Sequence, residues 1–262
     1  MRSAMPGVDA VEARSSRAFP RHTHEQFGIG LILDGAQTSA SGRGPVEAGP
    51  GDVITVNPGE VHDGAPVGDR GRWWRMIYVD PPALAEVHSH IGEGRSDPFE
   101  FQRPVLSDPS AASQLSHLFQ SLAGEAAETA LLREQLLLSL LARMLGISGD
   151  NVRTRAYPSA IAVAKSMIDD APGSAVTLAD LARVSSLSRF QVLRAFTSAT
   201  GFTPHAYLLQ RRLGLARRLI AGRMPLAQAA AEAGFADQSH MTRVFTSRYG
   251  FSPGVYAAAF RS

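Results

Sequence analysis

Hydrophobic and polar positions alternate along the first third of the chain in the manner of short β-strands. The apolar runs are separated by turn signals such as Asp34-Gly35 and Gly49-Pro50-Gly51. Four strands are predicted here, over Phe27–Leu33, Gln37–Ser41, Val53–Asn57 and Trp74–Val79. Several short strands at this spacing predict a small all-β barrel or sandwich.

The period of the apolar positions becomes helical in the middle of the chain. Two helices are predicted, over Ala111–Ala123 and Thr129–Leu145, and the second is apolar nearly all round. Its leucines are Leu131, Leu132, Leu136, Leu137, Leu138, Leu140, Leu141 and Leu145. One barrel face is too small to cover them, so the helix either contacts a second copy of the chain or packs between its own barrel and its neighbour helix. The polar stretch that follows has no periodicity and is predicted to be a linker.

The C-terminal part contains an internal repeat of a helix-turn-helix pattern. The second copy has an apolar-periodic helix from Leu226 that ends at Gly234, and a new helix that begins at Asp237. Seven residues of the first copy recur at a constant offset of 49: Arg194, Phe196, Thr197, Gly201, Phe202, Pro204 and Tyr207 match Arg243, Phe245, Thr246, Gly250, Phe251, Pro253 and Tyr256. Two copies of one unit therefore lie in tandem.

Local signals agree with this interpretation. Gly234 can turn at positive φ, Phe235 can fill the angle between the helices, and Asp237 can cap the second helix. Thr177 and Ser188 each open a helix with a capping-box pattern. Thr203-Pro204 and Ser252-Pro253 pair a capping hydroxyl with proline at the first helical position. The helix predicted from Pro204 to about Ala221 holds the two units apart.

These repeats, joined by a helix and ending in GFSPGVYAAAF, resemble the DNA-binding domain of the AraC/XylS family of transcription regulators over roughly the last 110 residues. RHTHEQFGIGLILDG followed by GPGDVITVNPGEVH is similar to the two motifs of a cupin barrel, the usual effector domain of that family. The resemblance implies a multidomain protein with an N-terminal all-β cupin-like barrel, a helical extension and a C-terminal all-α domain. Its predicted boundaries are 1–100 for the barrel, 101–146 for a helical dimerisation region, 147–157 for the linker and 158–262 for the DNA-binding domain, with helix-turn-helix units at about 177–200 and 225–249.

The distribution of charge supports this division. Residues 153–262 contain 14 Lys and Arg against 5 Asp and Glu, a net charge of +9, whereas residues 1–152 carry a net charge of −7. A basic half suits binding to phosphates. With no cysteine, disulfides and thiolate metal sites are excluded. Neither a membrane-spanning run nor a signal peptide is recognisable, so a cytoplasmic protein is expected.

Candidate effector-binding residues are His22, His24 and His62, which stand where cupins place metal ligands, together with Trp74 and Tyr78. Three imidazoles could hold a divalent ion. Gly28, however, occupies the position of the cupin glutamate, and regulators of this family generally use the barrel without metal. We therefore expect a polar contact to a small molecule and no cofactor, while hydrogen bonding to backbone and packing in the core stay as alternative roles for these side chains.

The resemblance assigns DNA contacts to residues of two recognition helices. These residues are Arg189, Phe190, Gln191 and Arg194 in the first, and Gln238, Ser239, His240, Thr242 and Arg243 in the second. Arginine suits guanine, glutamine suits adenine, and an aromatic ring can touch the thymine methyl group. Contacts to phosphate are the alternative for each, and Arg194 and Arg243 could instead support the fold of their units. Four arginines of the connecting helix are predicted to be solvated or to face phosphates: Arg211, Arg212, Arg217 and Arg218.

The sequence thus predicts a transcription regulator without catalytic activity, controlled by a small-molecule effector. The resemblance adds activation as the commoner outcome, a homodimer, and RNA polymerase as a further partner beside promoter DNA. The rival hypothesis is a metal-dependent cupin enzyme fused to a DNA-binding domain.

Overall fold

The structure is a computed structural model that describes residues 5–91, 99–123, 130–145, 158–249, 251–258 and 260 of the 262-residue chain. The described residues form two compact units. Unit 1 is drawn from 1–123 and 136–152, and unit 2 from 124–135 and 153–262. The predicted linker, 147–157, lies outside the described residues.

Unit 1 contains nine described strands in two antiparallel sheets. The strands are β1 (Val8–Ser15), β2 (Phe19–His22), β3 (Phe27–Gly35), β4 (Gln37–Ser41), β5 (Gly44–Ala48), β6 (Val53–Val56), β7 (His62–Pro66), β8 (Arg72–Val79) and β9 (Val105–Leu106). One sheet has the order β1-β8-β3-β6-β9 and the other the order β2-β7-β4-β5. An all-β N-terminal domain is therefore confirmed.

The four predicted strands are present as β3, β4, β6 and β8, and β4 has the predicted bounds. Four longer strands were not predicted: β1, β2, β5 and β7. β2 contains Pro20 and β5 begins with Gly44-Pro45, which are turn signals in a sequence. Both strands form the edges of their sheet, where a missing backbone N–H costs little.

Three helices accompany the sheets along the chain: α1 (Pro81–Ile91), α2 (Pro109–Ala123) and α3 (Ala130–Met144). α2 packs against β1, β3 and β8. In α3 the side chains of Leu137 and Leu141 are each 1% exposed, and Leu138 and Leu140 are buried as well. A contact with a second copy through Leu137 and Leu141 does not fit this burial, because both side chains are covered by their own chain. The structure favours the alternative of a helix buried within the protomer.

Unit 2 is helical, and it includes the first residues of α3, up to Gln135, which the predicted boundaries placed in the helical dimerisation region. Its helices after α3 are α4 (Pro158–Asp170), α5 (Leu178–Ser185), α6 (Arg189–Thr200), α7 (Pro204–Ala221), α8 (Leu226–Glu232), α9 (Gln238–Tyr249) and α10 (Pro253–Ala258). The pairs α5/α6 and α8/α9 are the two helix-turn-helix units. α7 packs against α4 and α6 on one side of the repeat and against α8, α9 and α10 on the other.

The predicted caps are confirmed. Thr177 and Ser188 form capping boxes with Asp180 and Gln191, respectively. Asp237 accepts a hydrogen bond from the backbone N–H of His240 at 2.6 Å, and Gly234 has a φ of +78°. The turn residue Phe235 is buried in one core with Met241 and Phe245 of α9. The sequence therefore fixes the inner face of α9, and with it the face that is left outside.

A packed junction joins the two helix-turn-helix units; it consists of the 172–174 loop, the 232–234 turn and the side chain of Arg212. Nε of Arg212 donates to the carbonyl of Pro172 and Nη2 to that of Ser174, each at 3.0 Å. The Arg212 residue is 4% exposed, so its predicted solvated or phosphate-facing role is wrong. The physical reason is that two loop carbonyls satisfy its guanidinium from inside the fold.

Candidate functional site

Unit 1 encloses a cavity of about 340 Å³ lined by residues of both sheets. Because successive side chains of a strand point to opposite faces, β8 directs alternate residues into it: Arg72, Trp74, Met76 and Tyr78. On β3, Gly30 leaves the space that the sulfur of Met76 occupies. The cavity is of the size that holds a small organic molecule.

The three predicted histidines meet in this cavity. His22 ends β2 and His62 begins β7, and the antiparallel pairing of these strands sets the two residues opposite each other. The ring centroids of His22 and His62 are 4.4 Å apart, and His24 lies 4.9 and 5.2 Å from them. Trp74 and Tyr78 line the same cavity, with the Tyr78 ring 5.2 Å from that of His24. All five predicted effector residues are therefore brought together.

Backbone carbonyls orient two of these imidazoles. Nδ1 of His22 lies 2.8 Å from the carbonyl oxygen of Pro20, and Nδ1 of His62 lies 3.0 Å from that of Glu60. Since a carbonyl oxygen only accepts, Nδ1 carries the proton in both rings. In the neutral form each Nε2 then keeps a lone pair that can accept a hydrogen bond or bind a metal.

Burial shifts the titration of the neighbouring groups. The pKa of His24 is lowered, first by burial of the ring and then by the positive charge that His62 and His22 can carry. Burial also raises the pKa of the Tyr78 hydroxyl. At neutral pH the cavity therefore presents a neutral His24 and a protonated phenol, which are partners for a hydrogen-bonding ligand.

A divalent metal ion could be held by the three imidazoles. Their ligating nitrogens lie within 4.8 Å of one another, and zinc sites with three histidines and an open position are known. The carboxylate of Glu60, on the same cavity wall, is occupied by Nε of Arg43 at 2.7 Å. A metal ion here would thus be bound by imidazoles alone, because Gly28 occupies the position of the cupin glutamate.

The outer face of α9 is the candidate DNA-binding surface of unit 2. Gln238, Ser239 and Arg243 are exposed on it, and Thr242 is partly buried. His240 is also partly buried; its ring packs 5.4 Å from that of Phe235, and its Nδ1 is buried without a hydrogen-bond partner among the described residues. This face is polar and available over successive turns of the helix.

The corresponding face of α6 is less open. Arg189, Gln191 and Arg194 are partly buried, and the Gln191 side chain accepts from the backbone N–H of Ser188 in the capping box. Phe190 is 7% exposed and belongs to the core, with the guanidinium of Arg194 5.5 Å from the centre of its ring. A base contact by Phe190 does not fit this burial, and we reassign the residue to packing.

Unit 2 also exposes several arginines on α7 and α9. Arg211, Arg217, Arg218 and Arg248 are exposed. Arg211 pairs with Asp169 at 2.8 Å, and Arg217 lies over the rings of Tyr249 and Tyr256 at 5.1 and 5.6 Å. The predicted solvated side of α7 thus includes one ion-paired arginine and one stacked on tyrosines.

Family models match both parts of the chain. The family model of the AraC-like ligand binding domain matches residues 5–141, more than half of the chain. The chain belongs to the AraC family of transcriptional regulators. A helix-turn-helix domain model matches residues 181–259 of this AraC-family regulator.

Similar proteins include two curated relatives and one solved structure. The uncharacterized HTH-type transcriptional regulator YbfI of Bacillus subtilis is 28% identical over 226 residues, covering 85% of this chain and 81% of YbfI. The transcriptional activator NphR of a Rhodococcus species is 29% identical over 258 residues, or 93% of this chain and 73% of NphR. ToxT of Vibrio cholerae aligns with 98% of this chain and 100% of its own at 13% identity and a TM-score of 0.40. Among the described helices, none combines the length and the apolar composition that a membrane span requires.

Sequence reasoning missed several cavity residues of the regulator. Phe19 lies on the unpredicted strand β2, and Arg72 begins β8 two residues before the predicted start. The pair Arg43 and Glu60 lines the cavity from loops flanking β4 and β7. A charged residue two positions before an inward-facing tryptophan was the one available signal for Arg72.

His205 of α7 predicts a pH dependence for unit 2. Its pKa is lowered to about 4, chiefly by burial and then by Arg212 and His240. As pH falls below about 6.5 the unfolded chain takes up this proton before the folded one, so stability is full above that pH and is lost toward pH 4. Unfolding in urea, followed by circular dichroism at 222 nm, should show a loss of about 2 kcal/mol between pH 7 and pH 5. In the variant His205→Gln the free energy of unfolding should fall less over this pH range, and the difference should equal the contribution of His205. If the variant shows the same pH dependence as the wild type, His205 is not its cause.

Proposed function

We propose that this AraC-family regulator binds promoter DNA through α9 and α6, and that a small molecule in the cavity of unit 1 controls transcription. The exposed polar face of α9 is the observation that carries the DNA-binding part. Its opposite face is locked into a core by Met241 and Phe245, so the polar side chains are held in a fixed orientation. Such a helix can enter a major groove.

Base recognition is assigned to Gln238 and Arg243, which are exposed one turn and a half apart on α9. Ser239, Thr242 and His240 complete the surface, and Arg189, Gln191 and Arg194 form the weaker surface on α6. We place the two helices in successive major grooves, about 34 Å apart on one face of the duplex. The net charge of +9 in residues 153–262 supplies the phosphate contacts.

Replacing Gln238 or Arg243 with alanine should weaken binding to the native promoter by about 1–3 kcal/mol and relax the preference at particular base pairs. The reason is that each variant loses hydrogen bonds to base edges. Replacing the exposed Arg218 with alanine should weaken all sequences alike and reduce the salt dependence by about one counterion. Electrophoretic mobility shifts on a library of single base-pair changes, at two salt concentrations, measure both effects.

DNase footprinting of the full-length protein provides the geometric check. Protection of two segments one helical turn apart agrees with two recognition helices. If one segment is protected and Arg194→Ala leaves it unchanged, α6 does not read DNA. If Arg243→Ala weakens all sequences equally, its role is a phosphate contact.

For the effector we assign His22, His24, His62, Trp74 and Tyr78, because they converge in one cavity. The lone pairs on Nε2 of His22 and His62 accept hydrogen bonds from the ligand, while Trp74 supplies an apolar wall. The outcome proposed for effector binding is activation, which is supported by the name of its relative NphR, a transcriptional activator.

The protein acts without catalysis, in the cytoplasm where promoter DNA is accessible. The rival, a metal-dependent enzyme activity in the same cavity, needs an ion on the three histidines. Metal analysis of the purified protein with and without a chelator, alongside footprinting, decides between them: stoichiometric metal lost together with a turnover reaction would support the rival.

A homodimer and a contact with RNA polymerase stay predictions, and the dimer needs a surface other than Leu137 and Leu141, which are buried in the protomer.

A further inference from the structure

Arg72 is a buried cation in the wall of the effector cavity. It is 3% exposed, and its side chain points inward from the first position of β8. Nη1 donates to the carbonyl of Arg17 at 3.3 Å and Nη2 to that of Gly64 at 3.4 Å, both long hydrogen bonds. Nε is buried without a partner in the described part of the chain.

No carboxylate of the described residues forms an ion pair with Arg72. Burial alone lowers its pKa, without an acidic group that would raise it. The guanidinium rests on the rings of Phe19 and Trp74, 5.1 and 4.8 Å from their centres, which offsets part of the desolvation cost. A buried charge with these partners alone is unfavourable, because its desolvation is not compensated by an ion pair.

Two other arginines show how this chain usually satisfies a covered guanidinium. Arg43, on the same cavity, binds both carboxylate oxygens of Glu60 at 2.7 Å and donates to two backbone carbonyls. Arg212 in unit 2 makes two hydrogen bonds of 3.0 Å. Unlike Arg43 and Arg212, Arg72 still has N–H groups that can donate hydrogen bonds to a ligand in the cavity.

The remaining walls limit what that group can be attached to. Much of the remaining lining is apolar and includes Val11, Ala13, Val46, Ala48, Ile54, Val56 and Met76. Neutral polar side chains line it as well, but the hydroxyl of Ser39 donates to the carbonyl of Asp63 and that of Thr55 to the carbonyl of Arg103. The carboxylate of Asp63 also lines the cavity, but it accepts from the backbone N–H of Ala40 at 2.7 Å. A polyol would leave hydroxyl groups against these apolar walls, whereas a hydrocarbon or aromatic body would fit them.

We propose that Arg72 recognises the anionic group of the effector, and that the effector is a compact organic carboxylate with an apolar or aromatic body. A planar carboxylate matches the guanidinium fork and binds it with charge-assisted hydrogen bonds. Phe19 contacts both Arg72 and His22, with its ring centroid 6.5 Å from that of His22, so a body stacked in this region spans from the guanidinium toward the imidazoles. The inference rests on the proposed effector function of the cavity.

The test is isothermal titration calorimetry of the full-length protein with hexanoate, benzoate and cyclohexanecarboxylate, each compared with its own amide. At least one carboxylate should bind tenfold or more tightly than its amide. Arg72→Met should remove that preference, and Arg72→Lys should retain part of it, because lysine keeps the charge but lacks the fork. Equal binding of acids and amides, or no binding of any of the three carboxylates, would overturn the proposal.

Unfolding in urea without ligand gives a second readout. The midpoint of Arg72→Met should stay or rise, because an unpaired buried charge is removed, whereas Arg43→Met should lower the midpoint by stranding Glu60. A midpoint that falls as far in Arg72→Met as in Arg43→Met would show a structural role and overturn the proposal. If a neutral compound instead changes the DNase footprint, the effector function stands and the anion assignment fails. If neither the carboxylates nor the neutral compounds change the footprint, the effector function and the anion assignment both fail.

Discussion

Replacing Gly234 with alanine should destabilise unit 2 by about 4 kcal/mol, from steric overlap together with backbone strain. The new Cβ would lie 2.5 Å from the carbonyl oxygen of Gly173 and 2.9 Å from Nε of Arg212, inside the packed junction. The φ of +78° adds the strain of a left-handed conformation. Urea unfolding monitored at 222 nm measures the loss, and binding to the promoter should fall with it.

Two matched glycines separate the causes. Gly201 has a similar φ, +73°, but a Cβ there meets no atom within 4 Å, so Gly201→Ala should cost only about 1 kcal/mol. Gly173 has no left-handed backbone, yet its Cβ would overlap the carbonyl oxygen of Glu232, so Gly173→Ala should cost about 3 kcal/mol. If Gly234→Ala costs no more than Gly201→Ala, the junction is not tightly packed.

Arg212→Met should cost about 3 kcal/mol and loosen the two helix-turn-helix units from each other. The methionine fills the space of the side-chain stem, but the carbonyls of Pro172 and Ser174 lose their donors. Affinity should fall more for a complete promoter site, which the proposed function assigns to both helix-turn-helix units, than for a half-site assigned to α9 alone. Competition binding with the two DNA fragments gives this ratio.

Arg218→Met is the matched control, since Arg218 is exposed on the same helix. It should leave the stability nearly unchanged and weaken both DNA fragments alike. Equal losses on both fragments for Arg212→Met, without a change in unfolding, would instead assign Arg212 to a phosphate contact and remove its role in the junction.

The helical half was largely predictable because its signals are local. A capping box needs Thr177 and Asp180 three positions apart, and a glycine at a helix end needs only its own backbone. The start of α7 follows from Thr203 and Pro204, because the capping hydroxyl and the fixed φ of proline act within the first turn of the helix. The 49-residue repeat then doubled the evidence for each unit.

Burial that depends on distant residues was not predictable. Arg211 and Arg212 look alike in sequence, yet one is exposed and the other is held by carbonyls some 40 positions away. Phe190 and the leucines of α3 likewise show their packing only once their neighbours are placed. In unit 1 the three histidines were predicted as a set. The strand pairing that brings His22 next to His62 was not, because β2 has few of the sequence signals of a β-strand.

The residues of β8 alternate between two environments. Its even-numbered residues, from Arg72 to Tyr78, face the cavity. Its odd-numbered residues face away: Ile77 and Val79 are buried, and Arg75 lies 4.9 Å from the ring centre of Phe119 on α2. Under the proposed function, substitutions at the even positions change which ligand the cavity binds, whereas the odd positions preserve the packing of the sheet against α2. The residues that face the ligand cavity and the residues that hold the sheet in place thus alternate along one strand.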